Sequence, residues 1–105
     1  MTRIIVAEDF DIIREDLVDT ISAQEDMRVV GQAGSGAEAS ALADMTECDL
    51  ILMDIEMETT TAGIKAAEKI LEKYPGLMII FLTAHETENM ILTSMGAGAV
   101  DYIVK

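Results

Sequence analysis

The chain has 105 residues, half of them hydrophobic, with one cysteine and twenty acidic side chains against seven basic ones, a net charge of −13. That length suits one domain with a modest core, and so acidic a surface repels nucleic acid and anionic membrane while attracting cations, which argues against direct DNA or membrane binding. No apolar run approaches the ~20 residues of a membrane span, Met1-Thr2-Arg3 opens no signal peptide, and the lone Cys48 cannot form an internal disulfide, so a cytoplasmic domain is expected, with Cys48 as a small buried residue.

Short apolar or β-branched runs alternate with longer amphipathic stretches, the pattern of a parallel α/β sheet. A first strand is expected at residues 3–7, continuously apolar from Ile4 as befits a strand buried on both faces. A helix follows over about 11–23, with Ile12, Ile13, Leu17, Val18 and Ile21 recurring at helical spacing. The second strand, about 27–33, is more polar and suits an edge. Ser35 or Gly36 opens a second helix, about 36–46, whose core face draws on Ala39, Leu42, Ala43 and Met45. Residues 49–54 form a third strand that ends in a carboxylate, and a third helix over about 61–73 stops at Tyr74-Pro75-Gly76. A fourth strand (77–83), a fourth helix (about 86–95), the Gly96-Ala97-Gly98 turn and a fifth strand (99–104) complete the order, without a fifth helix. The eight methionines are expected as core filler. No linker or internal repeat divides the single domain, residues 1–105.

In an open parallel sheet, ligands bind beyond the carboxyl ends of the strands. There the sequence places Glu8 and Asp9 after strand one, Asp54 at the end of strand three, Thr83 at the end of strand four and Lys105 after strand five. Taken singly, each has a plainer explanation: acids favour helix starts, threonines occupy turns, and a last lysine is a solvated charge. Together, three carboxylates at one rim repel each other unless a cation joins them. Hard oxygen donors without a His or Cys cluster favour Mg²⁺ or Mn²⁺ over zinc. An ionised carboxylate is also a nucleophile toward a phosphoryl donor and yields an acyl phosphate, by a reaction that depends mainly on positioning and charge neutralisation. Lys105 would meet one phosphoryl oxygen as a point charge and the Thr83 hydroxyl another, which makes Asp54, Lys105 and Thr83 the candidate catalytic set. No base is recognisably paired with a serine or cysteine, so hydrolysis at such a nucleophile is not expected. His85, two residues after Thr83, is either a neighbour that influences dephosphorylation or a surface residue.

The ordered segments Ile-Ile-Val-Ala-Glu8-Asp9, Ile-Leu-Met-Asp54-Ile-Glu-Met, Phe-Leu-Thr83-Ala and Gly-Ala-Val-Asp-Tyr102-Ile-Val-Lys105 resemble the receiver domain of bacterial two-component response regulators over the whole chain. The resemblance implies a flavodoxin-like, doubly wound five-stranded parallel sheet in the order 2-1-3-4-5. It implies an aspartyl phosphate formed on Asp54 from a sensor histidine kinase, and Mg²⁺ held by Asp9, Asp54 and the main-chain carbonyl of Glu56, with Glu8 acting through water. The module would be a signalling switch rather than an enzyme in the usual sense, contributing to its own phosphorylation and dephosphorylation. Thr83 and Tyr102 would carry the switch: phosphate draws the Thr83 hydroxyl inward, the Tyr102 ring follows, and the surface of helix four and strand five is remodelled. Without the resemblance, Tyr102 reads as a half-buried strand residue. The output domain would be attached or separate. The Val-Val-Gly-Gln-Ala-Gly stretch is similar to that of regulators with a helix-turn-helix DNA-binding output, which points to transcription.

Two departures from the family stand out. After Asp54 the family usually has Pro four residues on and Gly eight on, whereas this chain has Glu58 and Thr59-Thr60-Thr61-Ala62 before Gly63. In a loop one residue longer, Glu58 is expected either to weaken binding of an anionic donor or to contact the metal. The family's last helix is also missing from this chain, so one sheet face is expected to expose apolar surface. Marginal stability, a homodimer or an element exchanged between protomers would follow. Two rival readings remain: a receiver-like interaction module that takes no phosphate, and a dinucleotide-binding fragment. The second rests on Gly34-Ser35-Gly36-Ala37-Glu38-Ala39, which fits GxGxx(G/A) between a strand and a helix, with Asp54 at a fitting distance for a ribose contact. Against it, the preceding strand suits an edge, and Glu8, Asp9, Thr83 and Lys105 are left unexplained.

Overall fold

Five apolar runs form the strands β1 (Thr2–Ala7), β2 (Met27–Ala33), β3 (Leu50–Asp54), β4 (Met78–Thr83) and β5 (Asp101–Val104), all parallel, in the order β2-β1-β3-β4-β5. Between them lie α1 (Asp11–Ser22), α2 (Gly36–Met45) and α3 (Ala62–Lys73). The computed structural model describes residues 1–84, 96, 98, 99 and 101–104. The expected fourth helix, His85 and Lys105 lie outside the described residues. β5 starts two residues later than its apolar run suggests, after Gly98, which takes a left-handed φ of +95° that glycine alone adopts cheaply.

Side chains alternate across a sheet, and this alternation divides the core in two. On one face Leu17, Val18 and Ile21 of α1 pack on Ile4, Val6, Leu52 and Leu82. On the other, Ala39 and Leu42 of α2 with Ile64, Ala67 and Ile70 of α3 cover Ile5, Ile51, Met53, Ile79 and Phe81. Each large side chain fully buried here contributes roughly 1.5–3 kcal/mol. Among the described residues, Ile103 and Val104 of β5 are 48% and 41% exposed. Among the described residues, no helix is long and apolar enough to cross a membrane.

Three expectations about the core are corrected. Ile12 is exposed: it lies nine residues before Ile21, and at roughly 100° per residue that puts it on the opposite side of α1. Met45, the final residue of α2, is exposed rather than part of its core face. Of the six described methionines, Met53 is buried and Met57 packs against the core, whereas Met1, Met27, Met45 and Met78 sit at strand and helix ends in contact with water. Cys48 is half-buried against the α2–α3 core, and burial pushes its thiol up.

At the amino ends of the strands, Arg3 and Asp49 bolt β1 to β3. The Arg3 main-chain N–H donates to Asp49 Oδ2 at 2.8 Å, its Nη2 to Oδ1 at 3.1 Å, and Glu47 takes Nη1 at 3.0 Å. The guanidinium holds the Asp49 carboxyl below its ordinary 3.8, at about 2. Because folding lowers this pKa, the stabilisation is present above the unfolded value and is lost as pH falls through the folded one. Thermal melts of the wild type and Asp49→Asn should therefore differ most above pH ~4 and converge toward pH ~2. A constant difference across that range would show that the ionised carboxyl contributes nothing.

Candidate functional site

The register of the sheet assembles the site. Ala7 pairs with Met53, so Glu8, the next residue, comes level with Asp54. Asp54 pairs with Leu82, which leaves Thr83 one residue farther along β4. Two main-chain bonds carry the ladder past the acids: Glu8 N–H to the Ala33 carbonyl at 2.9 Å, and Ile55 N–H to that of Leu82 at 3.0 Å. Glu8 is fully buried, Asp54 and Thr83 nearly so, and Asp9 is exposed. One carboxylate oxygen from each of Glu8, Asp9 and Asp54 lies within 4.8 Å of the others. These acids line a cleft of about 270 Å³ together with Glu56 and Thr83, and the Glu56 N–H donates to Asp54 Oδ1 at 3.3 Å. Oxygen donors packed this closely, with no sulfur or imidazole among them, fit a hard divalent cation.

Two side chains at the rim do work that the sequence reading did not assign. Arg14, the only base between Ile4 and Met27, donates from Nη1 to the Glu8 carbonyl at 2.8 Å and from Nη2 to Asp11 Oδ1 at 2.7 Å, pinning the turn that carries Glu8 and Asp9. A lone base six residues after Glu8 in an acidic stretch was the available signal. Glu58 is turned away from the cleft. Its Oε1 accepts from Gly36 N–H at 2.7 Å and its Oε2 from Ala37 N–H at 3.4 Å. Those amides hold its carboxyl below the usual range, and the positive end of α2 takes its charge. Neither expected role for Glu58, repelling a donor or meeting a metal, matches this placement.

The family model of the response regulator receiver domain matches residues 4–105. The chain belongs to that family. Among its relatives, an uncharacterized transcriptional regulatory protein of Bacillus subtilis, YxjL, is 41% identical over 98% of this chain and 47% of its own length. The DNA-binding transcriptional activator DevR/DosR of Mycobacterium tuberculosis is 31% identical over 100% and 48%. The receiver thus spans about half the length of these relatives. In structure it resembles the response regulator TrrA of Thermotoga maritima in complex with Mg²⁺-BeF, with a TM-score of 0.85 and 34% identity, covering all of this chain and 87% of TrrA.

The flavodoxin-like order of the strands is that of the receiver fold, as the resemblance implies. Of the expected site residues, the fold brings Glu8, Asp9, Asp54, Glu56 and Thr83 to one cleft. Tyr102 stands apart, paired with Phe81 on β4 and half-buried against the α2–α3 core. The dinucleotide reading is overturned: the chain is a receiver, and the glycine turn that would face a pyrophosphate has its first helical amides filled by Glu58.

Proposed function

We propose that this receiver takes a phosphoryl group on Asp54 from the phosphohistidine of a sensor histidine kinase, in a Mg²⁺-dependent step, and so controls an output such as transcription. The observation that carries the reading is the convergence of the Glu8, Asp9 and Asp54 carboxylates within 4.8 Å at the end of two central strands. Asp9, Asp54 and the main-chain carbonyl of Glu56 would hold the ion, and Glu8 would act through a bound water. The ion supplies neutralisation of charge on the phosphoryl oxygens. TrrA, which is in complex with Mg²⁺-BeF, supports this assignment for a chain 34% identical to it.

Asp54 supplies the nucleophile. A carboxylate oxygen bonds to phosphorus, the P–N bond of the donor breaks, and its electron pair leaves with the imidazole. Burial on a strand end, with the Glu56 N–H on Oδ1, limits the directions in which Asp54 presents an oxygen. Thr83 donates its hydroxyl to the new phosphoryl group and Lys105 places its ammonium on another oxygen. The inward pull on Thr83 shifts the packing around Tyr102, which pairs with Phe81 two residues before it, and the β5 surface passes the signal on. Phe10, 57% exposed and lining the cleft, offers apolar surface to the kinase.

The same reading makes residues 1–105 one cytoplasmic receiver domain, with the output, a helix-turn-helix DNA-binding module, joined to it or separate. The printed names of the relatives support transcriptional control. The apolar side chains of Ile103 and Val104, exposed on β5, suit a homodimer. Incubation with acetyl phosphate and Mg²⁺, read by intact mass, should add one phosphoryl group to the wild type and none to Asp54→Asn. No gain with any phosphoryl donor would leave an interaction module that takes no phosphate.

A further inference from the structure

The four amides at the amino end of α2 all have acceptors, and two of them are supplied from a distant part of the chain. Ser35 is the local cap: its Oγ accepts from Glu38 N–H at 3.1 Å and its carbonyl from Ala39 N–H at 3.0 Å. The first two amides, which have no partner within the helix, go to the carboxylate of Glu58, 22 and 21 residues on in sequence. Glu58 belongs to the loop between β3 and α3, which is tied elsewhere as well. Met57 N–H donates to the Thr59 carbonyl at 3.0 Å, closing a turn around Glu58, and Gly63 N–H donates to the Ile55 carbonyl at 2.9 Å. Glu56, whose carbonyl the proposed site uses, lies between these ties. α2 itself is a firm anchor, because a Cβ added at Gly36 would already stand 3.0 Å from the Ala62 carbonyl oxygen on α3.

We propose that Glu58 is a positioning residue: its clamp on α2 fixes the loop that carries Glu56 and thereby sets the affinity of the acid cleft for Mg²⁺. This rests on the metal reading of the cleft. The charge of Glu58 is spent on α2, which explains how a receiver tolerates an extra acid four residues after Asp54, in a longer loop. An unclamped loop would have to give up conformational freedom each time the ion binds.

Calorimetric titration of the 105-residue chain with MgCl₂ alone, at a temperature where circular dichroism shows every variant folded, tests the clamp. Glu58→Ala should weaken Mg²⁺ binding about tenfold, the size typical for loss of a group that orients metal ligands. Glu58→Gln keeps an oxygen that accepts from Gly36 N–H and should stay within about threefold of the wild type. If Glu58→Ala does not fold, Glu58→Asp, one methylene shorter, takes its place with a loss between the two. A residue that only stabilised the fold would lower the melting temperature and leave the Mg²⁺ affinity unchanged, and that result would overturn the proposal. So would an equal loss in Glu58→Gln and Glu58→Ala, because a retained acceptor for Gly36 N–H would then make no difference. A wild type that takes up no Mg²⁺ overturns the metal reading and the clamp together; unchanged affinity in Glu58→Ala with a wild type that binds overturns the clamp alone.

Discussion

Gly63→Ala should unfold at a much lower urea concentration than the wild type. A Cβ at residue 63 would stand 1.9 Å from the carbonyl oxygen of Asp54 and 2.8 Å from both its carbonyl carbon and Ile55 Cα. These are main-chain atoms in and next to a central strand, so no side chain can swing aside. Relief requires α3 to withdraw from β3 by about 1.5 Å, roughly the difference between that clash and ordinary contact. Withdrawal breaks the 2.9 Å bond from Gly63 N–H to the Ile55 carbonyl and opens the packing of Ile64 and Ala67 against Met53 and Phe81. A cost above ~3 kcal/mol is expected, a large share of the ~5–15 kcal/mol that keeps a domain folded. Gly76→Ala is the control, since nothing lies within 4 Å of a Cβ there. Urea unfolding followed by circular dichroism reads both variants. Gly63→Ala within ~1 kcal/mol of the wild type would mean that α3 adjusts freely.

That glycine also shows what could be read from the residues and what could not. The apolar runs of β1 and β3 are legible because strands buried on both faces need no polar alternation, and an acid directly after such a run has to emerge at the sheet's end. Glu8, Asp9, Asp54 and Thr83 were placed on that ground, and the register brings them to one cleft. Gly63 lies in close approach to the main chain of Asp54 and Ile55. Spacing along the chain shows the insertion and cannot show the approach. Glu58 was illegible for a related reason: its partners, Gly36 and Ala37, are more than twenty residues away, and no local pattern pairs an acid in one loop with the helix end beyond another. Ile12 failed differently, through apolar character taken as membership of a face without following the helical angle as far as Ile21. An isolated base among acids such as Arg14 has the look of surface charge in sequence, and only the fold shows its bond to the Glu8 carbonyl.

The effect of Asp9→Asn should change sign with Mg²⁺. Without the ion, three carboxylates with oxygens within 4.8 Å of one another repel, and removing one charge should raise the melting temperature by a few degrees. With the ion, the wild type gains RT ln(1 + [Mg²⁺]/Kd), about 2.7 kcal/mol at a hundred times its Kd. A variant that has lost a ligand and binds about 100-fold more weakly gains only about 0.4 kcal/mol at the same concentration. The order of the two melting temperatures should therefore invert as MgCl₂ is added, and Ca²⁺-free buffers with and without Mg²⁺ are enough to see it. Equal shifts in both proteins would separate the acid cleft from the metal, because a change common to both reflects ionic screening of the −13 charge. Inversion needs the repulsion and the ligation to reside in the same carboxylate. It would locate the ion at Asp9 without a phosphoryl donor, and so independently of whether Asp54 accepts the group.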